Sequence, residues 1–159
     1  MSSADGEQRK HIVIDRKFIG EKAPPFDVEV EKGRLRLFAK AIGESDPIYS
    51  DEAAAQAAGF RSILMPPTFL FCLEMENPDP YLWFREMSIP LPRALHGSQS
   101  FRYYRAACAG DVMTFASEIA DIYDKKNGAL EFVVQDVHIT DQNAEPVADF
   151  CRTIVIRNP

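Results

Sequence analysis

Hydrophobic positions along this chain change period twice. Phe26, Val28 and Val30 alternate with Asp27 and Glu29, the period-two pattern of a half-buried strand. From Lys32 the spacing becomes helical. Leu35, Phe38 and Ile42 fall three or four residues apart, with Leu37 and Ala41 beside them and Arg34, Arg36 and Lys40 mostly opposite. This predicts an amphipathic helix from Lys32 to Ile42, ended by Gly43. Asp51-Glu52, followed by five alanines up to Ala58, predicts a short helix closed by Gly59. From Thr68 to Met75 nearly every residue is apolar. The double proline Pro66-Pro67 suits the start of a helix better than that of a strand, and a helix apolar all round is surrounded by protein.

Tyr81 to Arg93 reads as a loop with one helical turn, whose Trp83 and Phe84 cover an apolar opening. Period two then returns, predicting strands over His96–Tyr104, Val112–Tyr123, Leu130–Thr140 and Val147–Arg157. Asp124 to Gly128 is a hairpin turn with Asn127-Gly128 at its tip, and Asp141 to Glu145 is a second, polar turn. Imperfect alternation within the strands predicts bulges and curvature. Helices followed by consecutive antiparallel strands make an α+β fold, with the sheet wrapped around the apolar helix. Residues 1–10 are small and polar and are expected to be disordered. A short helix or turn is expected before Gly20, and residues 11–159 form one domain.

Composition removes several classes of function. The net charge is -6 and no basic run exists to neutralise phosphates, which argues against a nucleic-acid surface. Cys72, Cys108 and Cys151 are odd in number and widely spaced, so they read as reduced, buried thiols of a cytoplasmic protein. No apolar run reaches membrane-spanning length. His11, His96 and His138 lack metal-ligand spacing, so neither a metal nor a resident cofactor is expected. Arg102, Arg105, Arg152 and Arg157 read as solvated charges on strand edges rather than contacts to a coenzyme phosphate.

The chemistry concentrates between Ala41 and Cys72. A polar turn, Gly43-Glu44-Ser45-Asp46-Pro47-Ile48-Tyr49, leads through the alanine segment to Pro66-Pro67-Thr68. It resembles the hydratase motif of the MaoC-like acyl-thioester dehydratases, G-D-x-N-P-hydrophobic-H followed some twenty residues later by a P-P-T helix start. Gly43, Pro47 and Ile48 match. Glu44 stands in place of the catalytic aspartate, Asp46 in place of the asparagine, and Tyr49 in place of the catalytic histidine. A second signature, His96 to Arg105 followed by Ala109-Gly110-Asp111, resembles the H-G-x-x-x-F-x-x-x-R-P-x-x-x-G-D line of the FAS1-like or MaoC N-terminal dehydratases, with Ala106 replacing the proline. The resemblance implies a hot-dog fold and an (R)-specific enoyl-thioester hydratase or 3-hydroxyacyl-thioester dehydratase. Its substrate would be a coenzyme A or carrier-protein thioester. It also implies a homodimer, or a heterodimer with another hot-dog subunit that supplies the intact dyad.

Hydrating an enoyl thioester requires a base for water and donors for the enolate oxygen. Glu44 is a base if burial raises its pKa, and otherwise a carboxylate fixing a turn. Tyr49, with a reference pKa of ~10, donates rather than accepts a proton at neutral pH and would line the substrate path. Asp46 fixes the turn more readily than it does chemistry. Pro67 and Thr68 place the first N–H groups of the apolar helix for an oxyanion, and His96 is a candidate substrate contact. Two other readings stand beside this one. The first is a non-catalytic acyl-thioester-binding or scaffold subunit. The second is a hot-dog thioesterase, for which Glu74 and Glu76 lie too late in the helix.

Overall fold

The structure, a computed structural model, describes residues 11–159; the expectation for residues 1–10 lies outside them. Five antiparallel strands form one sheet: β1 (Phe26–Glu29), β2 (Ala94–Tyr103), β3 (Val112–Lys125), β4 (Leu130–Thr140) and β5 (Pro146–Arg157), in the order β1-β3-β4-β5-β2. The helices are α1 (Lys32–Ile42), α2 (Glu52–Ala57), α3 (Phe69–Glu74) and α4 (Leu82–Glu86). The sequence-based bounds of α1 and β4 match these. Among the described residues before Gly20, Arg16–Phe18 forms a 3-10 turn. The β3–β4 turn is broader than an Asn-Gly pair, because Lys126, Asn127 and Gly128 all take positive φ.

Helix α3 packs across the inner face of the sheet. Leu70 and Leu73 are fully buried there, in one cluster with Met113, Phe115, Val137 and Phe150. The helix is not apolar all round, since Glu74 is also buried while Phe71 and Cys72 are half-buried. Helix α1 covers the outer side of α3 by a narrower stripe than its sequence suggests. Leu35 and Ala39 are buried, and the Phe38 ring lies 5.0 Å from that of Phe69. Leu37 and Ile42, which the spacing places on or beside the apolar face, are 70% and 52% exposed. A second cluster, built from Met87, Ile89, Ile119, Ile122, Val133 and Ile156, fills the space between α4 and the other end of the sheet.

Three register shifts interrupt the ladders among the described residues: the first between Ile119 and Asp121 in β3, the second between His96 and Ser98 in β2, and the third between Ile139 and Thr140 in β4. Gly97 sits in the second. A Cβ there would lie 2.6 Å from Val155 Cγ2 and 3.0 Å from the Thr153 carbonyl oxygen. The glycine of the His-Gly motif is therefore required by close backbone approach, not by turn geometry. Gly97→Ala is expected to destabilise the fold by about 1–3 kcal/mol through overpacking, read as a lower urea midpoint. An unchanged midpoint would show that β2 moves freely away from β5.

Candidate functional site

Helix α1 ends in a left-handed Gly43 (φ 74°), and the Glu44 N–H reaches back to the Ala39 carbonyl at 2.9 Å. The chain is then held by its own carboxylates. Glu44 Oε1 accepts from the Asp46 N–H at 2.9 Å, and Asp46 Oδ1 accepts from the Ile48 N–H at 3.1 Å. Pro47 opens a 3-10 turn ending at Tyr49. Glu44 and Asp46 are exposed and Tyr49 is half-buried. Burial, then the negative charges of Glu44 and Asp46, push the Tyr49 hydroxyl above its ordinary pKa. At neutral pH this phenol is protonated and serves only as a hydrogen-bond donor in any exchange with a base.

Tyr49 is located by an extended segment between α2 and α3. The Leu64 N–H donates to Ile48 at 3.0 Å, Met65 to Ala107 at 2.8 Å, and Ala109 returns a bond to Ile63 at 2.8 Å. Asp111, the acid of the Gly-Asp motif, fastens this arrangement. Its Oδ2 accepts from the Cys108 N–H at 2.7 Å, and its Oδ1 from Gln142 Nε2 at 3.1 Å and from Arg61. The motif acid is therefore structural. An open cleft of about 340 Å³ results, lined by Tyr49, Leu64, Pro67, Leu70, Tyr103 and Tyr104. Thr68 is exposed at the start of α3 and its side chain makes no capping bond. Two N–H groups beyond it are spent inside the chain, Phe69 on Pro66 at 2.9 Å and Phe71 on Thr68 at 3.2 Å.

His96 is elsewhere. Its ring lies 5.7 Å from that of Phe71 in α3. There it borders a second, more enclosed and mostly apolar cavity of about 190 Å³. Phe71 of α3 and Met75 at its C-terminal cap, Trp83 and Phe84 of α4, and Val133 and Ile154 of the sheet form much of its wall. The aromatics of the proline-rich segment thus cover an apolar opening, as their sequence suggests. The structure brings Tyr49 and Pro67 to the lining of one cleft and His96 to that of another, and α3 lends wall to both, Leu70 to the first and Phe71 and Glu74 to the second.

Sequence reasoning missed a polar group in this cavity wall. Arg152 donates through Nη1 to Glu74 Oε2 at 2.8 Å, and through Nε and Nη2 to Gln135 Oε1 at 2.8 and 2.5 Å. Its side chain is 17% exposed and that of Glu74 6%, so Arg152 is not a solvated strand-edge charge. The signal was parity. Arg152 shares its strand face with Phe150 and Ile154, and Gln135 shares its face with Val133 and Val137. The pairing also disposes of Glu74 as a free thioesterase carboxylate, because its charge is matched by the arginine.

Of the other arginines, Arg105 pairs at the surface with Asp141 at 3.3 Å and Glu145 at 2.9 Å. His138 Nδ1 meets Asp149 Oδ1 at 2.8 Å on the outer face of the sheet, where the Tyr104 hydroxyl also donates to Asp149. Burial pushes the Cys151 thiol up to about 11, with Asp136 adding to the effect, so this cysteine is not a nucleophile at neutral pH.

The sequence pattern of the family described as "FAS1-like, dehydratase domain region" matches residues 17–150. A UPF0336 protein of Streptomyces avermitilis is 32% identical over 147 residues, covering 92% of this chain and 97% of its own. The fold is similar to that of the truncated HadBC (3R-hydroxyacyl-ACP dehydratase) complex of Mycobacterium tuberculosis. That match has a TM-score of 0.72 and 22% identity, and covers 86% of this chain and 96% of the other. It is also similar to the R-hydratase PhaJ1 of Pseudomonas aeruginosa, with a TM-score of 0.69, 20% identity, and 89% and 83% covered. The five-stranded sheet packed on α3 is the hot-dog arrangement.

Proposed function

The chain belongs to the FAS1-like dehydratase family, and on that footing we propose that it is the acyl-binding half of an (R)-specific enoyl-thioester hydratase/dehydratase. The observation that carries this reading is the state of Tyr49. The position that needs a base holds a phenol whose pKa is raised by burial and two nearby carboxylates, while an aromatic-lined cavity lies across α3. In this proposal the acyl group of a coenzyme A or carrier-protein thioester occupies that cavity. A second hot-dog subunit with an aspartate–histidine pair activates water. Tyr49 then donates a hydrogen bond along the substrate path, and the start of α3 at Pro67 and Thr68 faces the thioester oxygen. Strands β1 and β2 are the two edges of the sheet, which gives the partner an edge on which to add. One neighbour in fold is itself a complex of dehydratase subunits, in keeping with this arrangement.

The second reading, a binding or scaffold subunit without chemistry, is favoured by one observation: Glu44 and Asp46 spend an oxygen each on the turn's own N–H groups. Hydration of crotonyl-CoA separates the two. The chain alone is expected to turn over slowly, with Glu44→Gln and Tyr49→Phe changing little. A hot-dog subunit with the intact dyad is expected to gain activity on mixing. Fast turnover by the isolated chain, abolished in Glu44→Gln, would make it a self-sufficient enzyme with glutamate as base. Failure of every dyad-bearing partner to respond would favour the scaffold.

A further inference from the structure

The α3 cavity holds more polar capacity than packing needs. Of the five N–H groups of Arg152, three are engaged, by Glu74 Oε2 and Gln135 Oε1. Glu74 Oε1 and Gln135 Nε2 make no hydrogen bond to any described residue, although Glu74 and Gln135 are each only 5% exposed and both line the cavity. Both atoms are open to the cavity space, and Trp83 Nε1 in the same wall is a buried donor without a partner among the described residues. These atoms present an acceptor, an amide donor and spare guanidinium N–H groups to one space. Apart from His96 and Tyr81, the remaining wall is apolar and aromatic. At about 190 Å³ the cavity exceeds the roughly 150 Å³ that holds benzene, which allows a group of about eight non-hydrogen atoms.

The charges decide which group. Glu74 and Arg152 cancel, so a carboxylate or an ammonium group would bring into the cavity a charge that this pair leaves unbalanced. A purely hydrocarbon chain would leave all the spare atoms unpaired. A hydroxyl satisfies both kinds: its hydrogen goes to Glu74 Oε1, and its oxygen accepts from Gln135 Nε2 or Arg152. We infer that the cavity selects a compact acyl group carrying a neutral hydroxyl on its chain, remote from the thioester, rather than a plain fatty acyl or a dicarboxylic one. This rests on the reading of the cavity as the acyl site.

Trp83 is the one tryptophan of the chain and lines the cavity, so its fluorescence reads occupancy. The test titrates the full chain with toluene, benzyl alcohol and benzoate, matched ring probes differing in the polar group. Benzyl alcohol is expected to bind about tenfold more tightly than toluene, with benzoate weaker than both. In Gln135→Met the preference for the alcohol is expected to fall towards unity. Equal binding of toluene and benzyl alcohol by the wild type, or tightest binding of benzoate, overturns the inference whether or not the variant folds. Adding 6-hydroxyhexanoyl-CoA, whose acyl group carries the remote hydroxyl, to the benzyl alcohol complex tests the underlying reading separately. Displacement supports it. Retained alcohol selectivity without displacement overturns the acyl assignment while leaving the polar site itself demonstrated.

Discussion

Arg152→Met is expected to lower folding stability by about 3–5 kcal/mol, the range for leaving one partner of a buried ion pair alone. The substitution keeps much of the side-chain volume but strands the Glu74 carboxylate, whose side chain is 6% exposed. It also removes both donors from Gln135 Oε1. The loss is therefore electrostatic and not a cavity effect. Urea denaturation of Arg152→Met, Glu74→Met and the double variant separates the two. The double variant is expected to recover most of the loss, because no unpaired charge remains and methionine packs well against Phe71 and Ile154. If the double variant is as unstable as the sum of the singles, the pair is not coupled and the assignment of a buried network fails.

Leu73→Ala is the second large effect, expected at about 2–5 kcal/mol. Leu73 is fully buried among Phe69, Phe115 and Val137 on the inner face of the sheet. Its neighbours belong to three elements and would not all close over the void, so the change combines lost burial with a residual cavity. Phe71→Ala is expected to cost less despite removing more atoms. Phe71 is half-buried and already faces open space beside His96. Its truncation should instead enlarge the cavity and shift the acyl-chain preference upward. Comparable losses in the two variants would mean that Phe71 is core and that the cavity wall is misplaced.

Much of this protein follows from local signals in its sequence. Helix α1 ends where Gly43 supplies a left-handed residue. The Pro47 turn is rigid because neighbouring carboxylates accept its N–H groups, and β4 runs over the eleven residues that alternate between Leu130 and Thr140. Each depends on backbone geometry or on periodicity within a few residues, so each is legible without the rest of the chain. The two motifs, too, name the family by their residues alone.

Tertiary structure decided the remainder. Arg152 and Gln135 keep the inward parity of their strands, yet composition alone sends a charge to solvent. Only the meeting of Glu74 on α3 with β4 and β5, far apart in sequence, makes burial of the arginine tolerable. Tyr49 and His96 belong to motifs that read as one site, but in the fold they line two different spaces, to both of which α3 lends residues. Leu37 and Ile42 have the spacing of a buried face and remain exposed, because α1 rests on α3 by a stripe only as wide as Leu35, Phe38 and Ala39. Sequence periodicity sets which residues share a face; how much of that face is covered depends on what packs against it.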